Sequence, residues 1–133
     1  MTRTVPWAAL AIAAGIAMAI PPRTHAQEPV DPRIAAYDKG PATIDVSKYP
    51  ADMQARYKVF ADKCVKCHTL ARAINCEFAL DEEWERYVKR MMRKPGSGIT
   101  SADGKQIFEF LAHDSKLRKK ALYERKLKEV AKP

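Results

Sequence analysis

The chain's periodicity predicts an all-α fold, and three observations carry that prediction. Apolar residues recur at helical spacing in three separate windows: Met53, Tyr57 and Phe60; Trp84, Val88 and Met91; Ile107, Phe108, Phe110 and Leu111. Spacings of three and four place such residues on one face of an α-helix. No run alternates apolar and polar residues with the period of two that a half-buried strand needs. Stop and start signals separate the second and third windows: Arg93-Lys94-Pro95-Gly96 closes one, and Thr100 or Ser101 can cap the next.

The first 26 residues have the layout of a cleaved secretory signal. Arg3 supplies a short charged start, Val5 to Ile20 is almost wholly apolar, Pro21 and Pro22 end that run, and Thr24 and Ala26 are the small residues before a cut at Gln27. At 16 residues the apolar run is shorter than the roughly 20 needed to span a bilayer. The expectation is export to the periplasm or secretion, with no stable membrane span after cleavage. The remaining 107 residues suffice for one small domain.

Residues 27–49 carry Pro29, Pro32, Pro41 and Gly40, with Pro50 just beyond. Proline at that density forbids a long helix and favours an extended arm, to which no chemistry is assigned. The domain proper is expected over 50–116. Its first helix runs from Ala51 to Lys63, with Asp52 in the first turn, where a negative charge suits the positive end of the helix dipole. Phe60 should point at a cofactor or at a partner helix. Thr69 to Leu80 reads as a connection with some helical character. Asp81 is the N-cap expected for the helix holding Trp84, Val88 and Met91, with Glu82 and Glu83 following it. After the third helix, residues 117–133 form a basic helical tail, read as a solvated extension.

The chemistry lies between the first two windows. Cys64-Val65-Lys66-Cys67-His68 is a Cys-x-x-Cys-His string, the attachment site of a c-type haem. Two intervening residues let one helical turn offer both thiols to the two vinyl groups, and the adjacent imidazole becomes the proximal iron ligand. Haem is joined to such strings outside the bacterial cytoplasm, so leader and motif support each other. The string occurs once, so one haem c is expected. Cys76 is left over and reads as a small buried hydrophobe rather than a disulfide partner.

A haem iron held by one histidine takes a sixth ligand or leaves that position open. Met91 lies 23 residues after His68 on the face of Trp84 and Val88, just before the Pro95-Gly96 break. Thioether sulfur favours reduced iron and raises the potential. Met92 is the alternative, rotated by one residue. His113, a lysine and an open site are the remaining options, and His113 reads as a solvated surface residue near the end of the third helix.

With these residues in hand, the chain resembles the class I-type monohaem cytochrome c superfamily, and most of all its short bacterial periplasmic members. The matching pieces are Phe60 four before Cys64, the string Cys64 to Leu70, the run Trp84-Glu85-Arg86-Tyr87-Val88-Lys89-Arg90-Met91, the Gly98-Ile99 turn and the closing helix with Ile107, Phe110 and Leu111. The resemblance covers roughly Pro50 to Ser115. It implies a small cytochrome c-like domain of three or more helices around one covalently attached haem. It also implies a distal methionine seven residues after the tryptophan, which is Met91. The arm before Pro50 and the tail after Ser115 have no counterpart in it.

Function then reads as single-electron transfer, by a free carrier or by a haem subunit of an oxidoreductase, and not as an enzyme in its own right. The full chain has 24 basic against 16 acidic side chains, and Arg3 and Arg23 leave with the leader. Lys63, Lys66, Arg90, Arg93 and Lys94 would rim the haem side and steer a redox partner with an acidic docking surface. Nucleic acid is not an expected partner for an exported protein. Two other readings compete: a haem-based sensor or ligand-binding cytochrome with an open or labile sixth site, and a thiol–disulfide enzyme using Cys64 and Cys67. The latter normally needs a strand-to-helix setting, which the pattern lacks.

Overall fold

A computed structural model describes residues 30–132. The proposed leader, residues 1–26, lies outside the described residues. The described chain forms six helices: α1 (Pro32–Asp38), α2 (Ala51–Cys64), α3 (Ala71–Asn75), α4 (Asp81–Met92), α5 (Ser101–Leu117) and α6 (Lys120–Val130). No strand occurs among the described residues, so the expected all-α class stands.

The expected extended arm is partly helical. Asp31 caps α1 by accepting the Arg33 backbone N–H at 2.8 Å, and Pro32 occupies the first helical turn. Proline there gives up only an N–H that would be unpaired anyway, so it starts a helix rather than breaking one. α1 packs on α3, where Arg72 forks onto the Asp38 carboxylate at 3.1 and 2.6 Å. The Asn75 amide ties the strand-like chain after α1 in place by donating to the carbonyls of Tyr37 and Pro41.

α2 and α4 both lie against α5, which is the central element. Phe60 stacks on Phe110 across the α2–α5 contact, with ring centroids 5.5 Å apart. Arg56 reinforces that contact by pairing with Glu109 at 2.7 Å. Between α4 and α5, the buried Trp84 indole donates to the buried Ser115 hydroxyl at 2.8 Å. The Met92 side chain of α4 seats on Gly104 of α5: a Cβ there would lie 2.5 Å from the Met92 sulfur.

The caps differ from the sequence expectation in one detail. Asp81 is the first residue of α4, not its cap; the cap position belongs to Leu80. The orphan N–H groups of Ala79 and Leu80 are instead taken by the Glu83 carboxylate at 2.9 and 3.0 Å. α4 ends at Met92, and in the turn beyond it Gly96 adopts φ +74°, a left-handed value that glycine accepts without a Cβ clash. Thr100 caps α5 reciprocally with Asp103.

The basic tail is helical and mostly exposed, with no buried residue in α6, but it is tied to the body. α5 runs on to Leu117, and α6 folds back onto the body. Lys119 reaches the carbonyls of Cys76 and Phe78, and Lys126 pairs with Glu83.

Candidate functional site

The Cys-x-x-Cys-His string sits at the C-terminal end of α2. Cys64 is the last residue of that helix and is buried; Cys67 is exposed, in the turn that follows, and His68 is half-buried. The string therefore spans the helix end and the next turn, where the backbone is free to bring two thiols and an imidazole to one opening.

The His68 ring is oriented by its own backbone. Nδ1 lies 2.9 Å from the Thr69 carbonyl. A carbonyl can only accept, so Nδ1 carries the proton and Nε2 is left with the lone pair. That is the tautomer a metal-binding imidazole needs, and a backbone carbonyl is a usual device for fixing it.

Cys64, Cys67 and His68 line one cavity of about 530 Å³. That is within the roughly 300–1,000 Å³ of small-molecule and cofactor sites. α4 contributes Tyr87, Arg90 and Met91, and the loop after it contributes Lys94, Pro95, Ser97 and Ile99. The cavity thus opens between the end of α2 and the C-terminal half of α4, with Met91 and the two thiols in its lining.

The two candidate methionines go to different places. Met91 lines the large cavity. Met92 borders a smaller one of about 230 Å³ between α4 and α5, together with Gly104 and Phe108. One residue is a rotation of about 100° on a helix, enough to turn one thioether to the cavity and the next to α5. His113 is not in the cavity lining and is not a solvated residue either. Its ring is half-buried and edge-on to Tyr49 at 5.3 Å. Phe60 faces a partner helix, as its stack on Phe110 requires.

Of the expected basic rim, Lys63, Arg90 and Lys94 line the cavity. Lys66 stands near it, with its ammonium 4.0 Å from where a Cβ on Gly98 would be. Lys63 is paired with Asp103 at 3.5 Å, while Arg90 lies over the Tyr87 ring at 5.4 Å.

Sequence reasoning missed half the wall. Ile34 and Tyr37 come from α1, the segment read as an arm without chemistry, and Arg72, Cys76 and Phe78 come from α3 and the loop after it. Only Tyr87 carried a usable signal, since it lies four residues before Met91 and so shares its helical face. Its phenol is buried and has no hydrogen-bond partner. Burial pushes that phenol's pKa well up, so it is a neutral donor at the cavity wall.

These residues fit a c-type haem. A largely apolar cavity of suitable size holds the two thiols of the Cys-x-x-Cys-His string, an imidazole with a free Nε2, and a thioether, with Cys76 as a third cysteine in its wall. Arginine and lysine line it where carboxylates could be met, and the orphaned Tyr87 hydroxyl is a donor awaiting an acceptor. They do not fit a thiol–disulfide enzyme. Such an enzyme needs a thiol of lowered pKa. Burial, with a smaller push from Cys67, instead raises the Cys64 thiol to about 12.

A small helical domain built on such a cavity is a cytochrome c-like domain. Residues 30–115 match the family described as Cytochrome-c551: Photosystem P840 reaction-centre cytochrome c-551, and the chain belongs to that family. The match includes α1, so the arm is part of the family domain rather than a departure from it. A protein described as "Cytochrome c" from Chlorobaculum tepidum (strain ATCC 49652 / DSM 12025 / NBRC 103806 / TLS) is 39% identical over 75 residues, covering 53% of this chain. The matched stretch is 36% of that relative, so this chain spans well under two thirds of its length. No solved structure matches. Membership of the family implies haem c, covalently bound with its iron, as the cofactor.

Proposed function

We propose that this protein is a single-electron carrier, or the electron-transfer haem subunit of a larger assembly, that works outside the cytoplasm with one haem c. Cys64 and Cys67 would hold the haem through thioethers, His68 would be the proximal ligand through Nε2, and Met91 the distal one. When bound, the haem supplies a one-electron couple at iron. The observation that carries the reading is the shared cavity: both thiols, the imidazole and the Met91 thioether line it, while Met92 and His113 do not.

The chain's own residues shape that couple. Thr69 fixes the imidazole tautomer through its carbonyl, Met91 favours the reduced state, and the apolar walls from α1, α3 and α4 limit water. Arg90, Lys94 and Lys66 present positive charge at the cavity mouth and would steer an acidic redox partner. The family's description names a photosynthetic reaction centre, which suggests a membrane-bound partner. No helix among the described residues is long and apolar enough to cross a membrane.

The reading is tested on protein exported by a host able to attach haem. The mass should rise by one haem that survives acid–acetone extraction. Ferric protein should show the far-red charge-transfer band of thioether ligation. Met91→Ala should abolish that band and admit CO to the reduced protein, while Met92→Ala keeps it. A wild type that already lacks the band and binds CO would favour the open-site alternative.

A further inference from the structure

The tail beyond residue 115 lies outside the family match, yet its cations converge on one stretch of the cavity wall. That stretch runs from the end of α3 to the start of α4, residues 74–83, and supplies Cys76 and Phe78 to the cavity lining. Residues 76–79 lie outside any helix. Among the described residues no backbone N–H reaches the carbonyls of Cys76 and Phe78.

Lys119 satisfies both of them. Its ammonium donates to the Cys76 carbonyl at 2.8 Å and to the Phe78 carbonyl at 3.1 Å. The same ammonium lies 5.1 Å from the centre of the buried Trp84 ring. Arg118 adds a bond to the Ile74 carbonyl at 3.0 Å while forking onto the buried Asp114. Lys116 pairs with Asp81 at 2.9 Å, and Lys126 pairs with Glu83. Four cations of the tail, Lys116, Arg118, Lys119 and Lys126, thus hold residues 74–83. The side chains of Cys76 and Phe78 in that stretch face the cavity.

We propose that Lys119 is a positioning residue for the haem site: by bridging the two carbonyls it fixes the Cys76–Phe78 loop as a wall of the cavity, so the C-terminal tail sets the haem environment without lining it. This rests on the cavity being the haem site. A buried carbonyl left without a donor is costly, so removing the ammonium drives the loop toward water. Water at the haem stabilises the ferric state and lowers the reduction potential. Loss of a nearby half-buried cation acts in the same direction.

The test compares matured, haem-loaded full-length protein with Lys119→Met, Lys119→Arg and Lys128→Met. Lys128 is an exposed tail cation with no ion pair among the described residues, so its variant removes the same charge without touching the loop. Reduction potential and CO uptake by the reduced protein are the readouts; a role in stability alone would move neither. Lys119→Met should lower the potential and speed CO uptake. Lys119→Arg, which keeps charge and donors, should restore most of both, and Lys128→Met should match wild type. Should Lys119→Met fail to accumulate, Lys119→Leu, which likewise has no donor, carries the same comparison. A coloured Lys119→Met protein with wild-type potential and CO uptake overturns the inference alone, as does a Lys128→Met shift of equal size. A colourless wild type overturns the haem reading and this inference with it.

Discussion

The Arg72–Asp38 pair shows how a single contact ties a supporting segment to the site. Arg72 lines the cavity and grips Asp38 of α1 with a forked contact. Those hydrogen bonds hold the Asp38 carboxyl below its ordinary 3.8, against the opposing effect of partial burial. A depressed carboxylate value means that the folded state prefers the charged form. The stabilisation is then complete above the ordinary value and is lost as pH falls through the lower, folded-state one. For a pair at the protein surface it amounts to about 0.2–1 kcal/mol. Asp38→Asn should therefore lower the melting temperature slightly near neutral pH, and the gap from wild type should close in strong acid. Thermal melts across the acid range check this; a gap independent of pH would remove the role of the charge. The sequence announced Cys64, Cys67 and His68 because their chemistry needs adjacent positions. It could not announce Arg72 and Asp38, which lie 34 positions apart and meet only once the chain between them has folded. Met91 and Met92 were separable only once the crossing at Gly104 showed which methionine faces α5.

At the level of elements, α2, α4 and α5 were legible because each carries a repeated apolar face and a recognisable start or stop. α1 was read as an extended arm because proline was weighed as a breaker, whereas Asp31-Pro32 is a cap followed by a first-turn proline. The docking of α6 is hidden for another reason: Lys119 bonding to loop carbonyls and Lys126 pairing with Glu83 leave no periodic trace. The α4–α5 contact gives the clearest energetic test. Trp84 is 1% exposed and Ser115 not at all, so the hydrogen bond between them is dry. Ser115→Ala removes one small hydroxyl and leaves the indole N–H without an acceptor. A buried donor so orphaned costs about 1–3 kcal/mol. The denaturant midpoint of the haem-loaded variant should fall by the corresponding amount with an unchanged slope. A midpoint equal to that of wild type would mean that water reaches the indole and that the α4–α5 contact is looser than its geometry.

For the whole molecule, the cavity sets how far the fold can stand without its cofactor. The fixed core is the α2–α4–α5 cluster around Phe60, Trp84, Ile107, Phe110 and Leu111, all 1% exposed or less. α1, α3 and the loop after it lie on the other side of a cavity of about 530 Å³. At roughly 24 cal/mol per Å³, the value for unfilled core cavities, a volume of that size corresponds to on the order of 10 kcal/mol. Water entering an open cavity makes that a ceiling. Even a fraction of it rivals the whole stability of a small domain, about 5–15 kcal/mol. The haem-filled cavity would give α1 and α3 a packing surface that the protein alone does not supply, and binding to the folded state alone adds to stability by mass action. A chain lacking residues 1–26, made in a cytoplasm that attaches no haem, should then keep only part of its helical circular-dichroism signal. It should also melt broadly, while the matured protein melts in one sharp step. The α1–α3 side should be the first to lose amide protection, since its partners across the cavity would be missing. A haem-free chain with full helical amplitude and a sharp melt would show that the α1–α3 side stands without the cofactor, and that the cavity is held open by the protein itself.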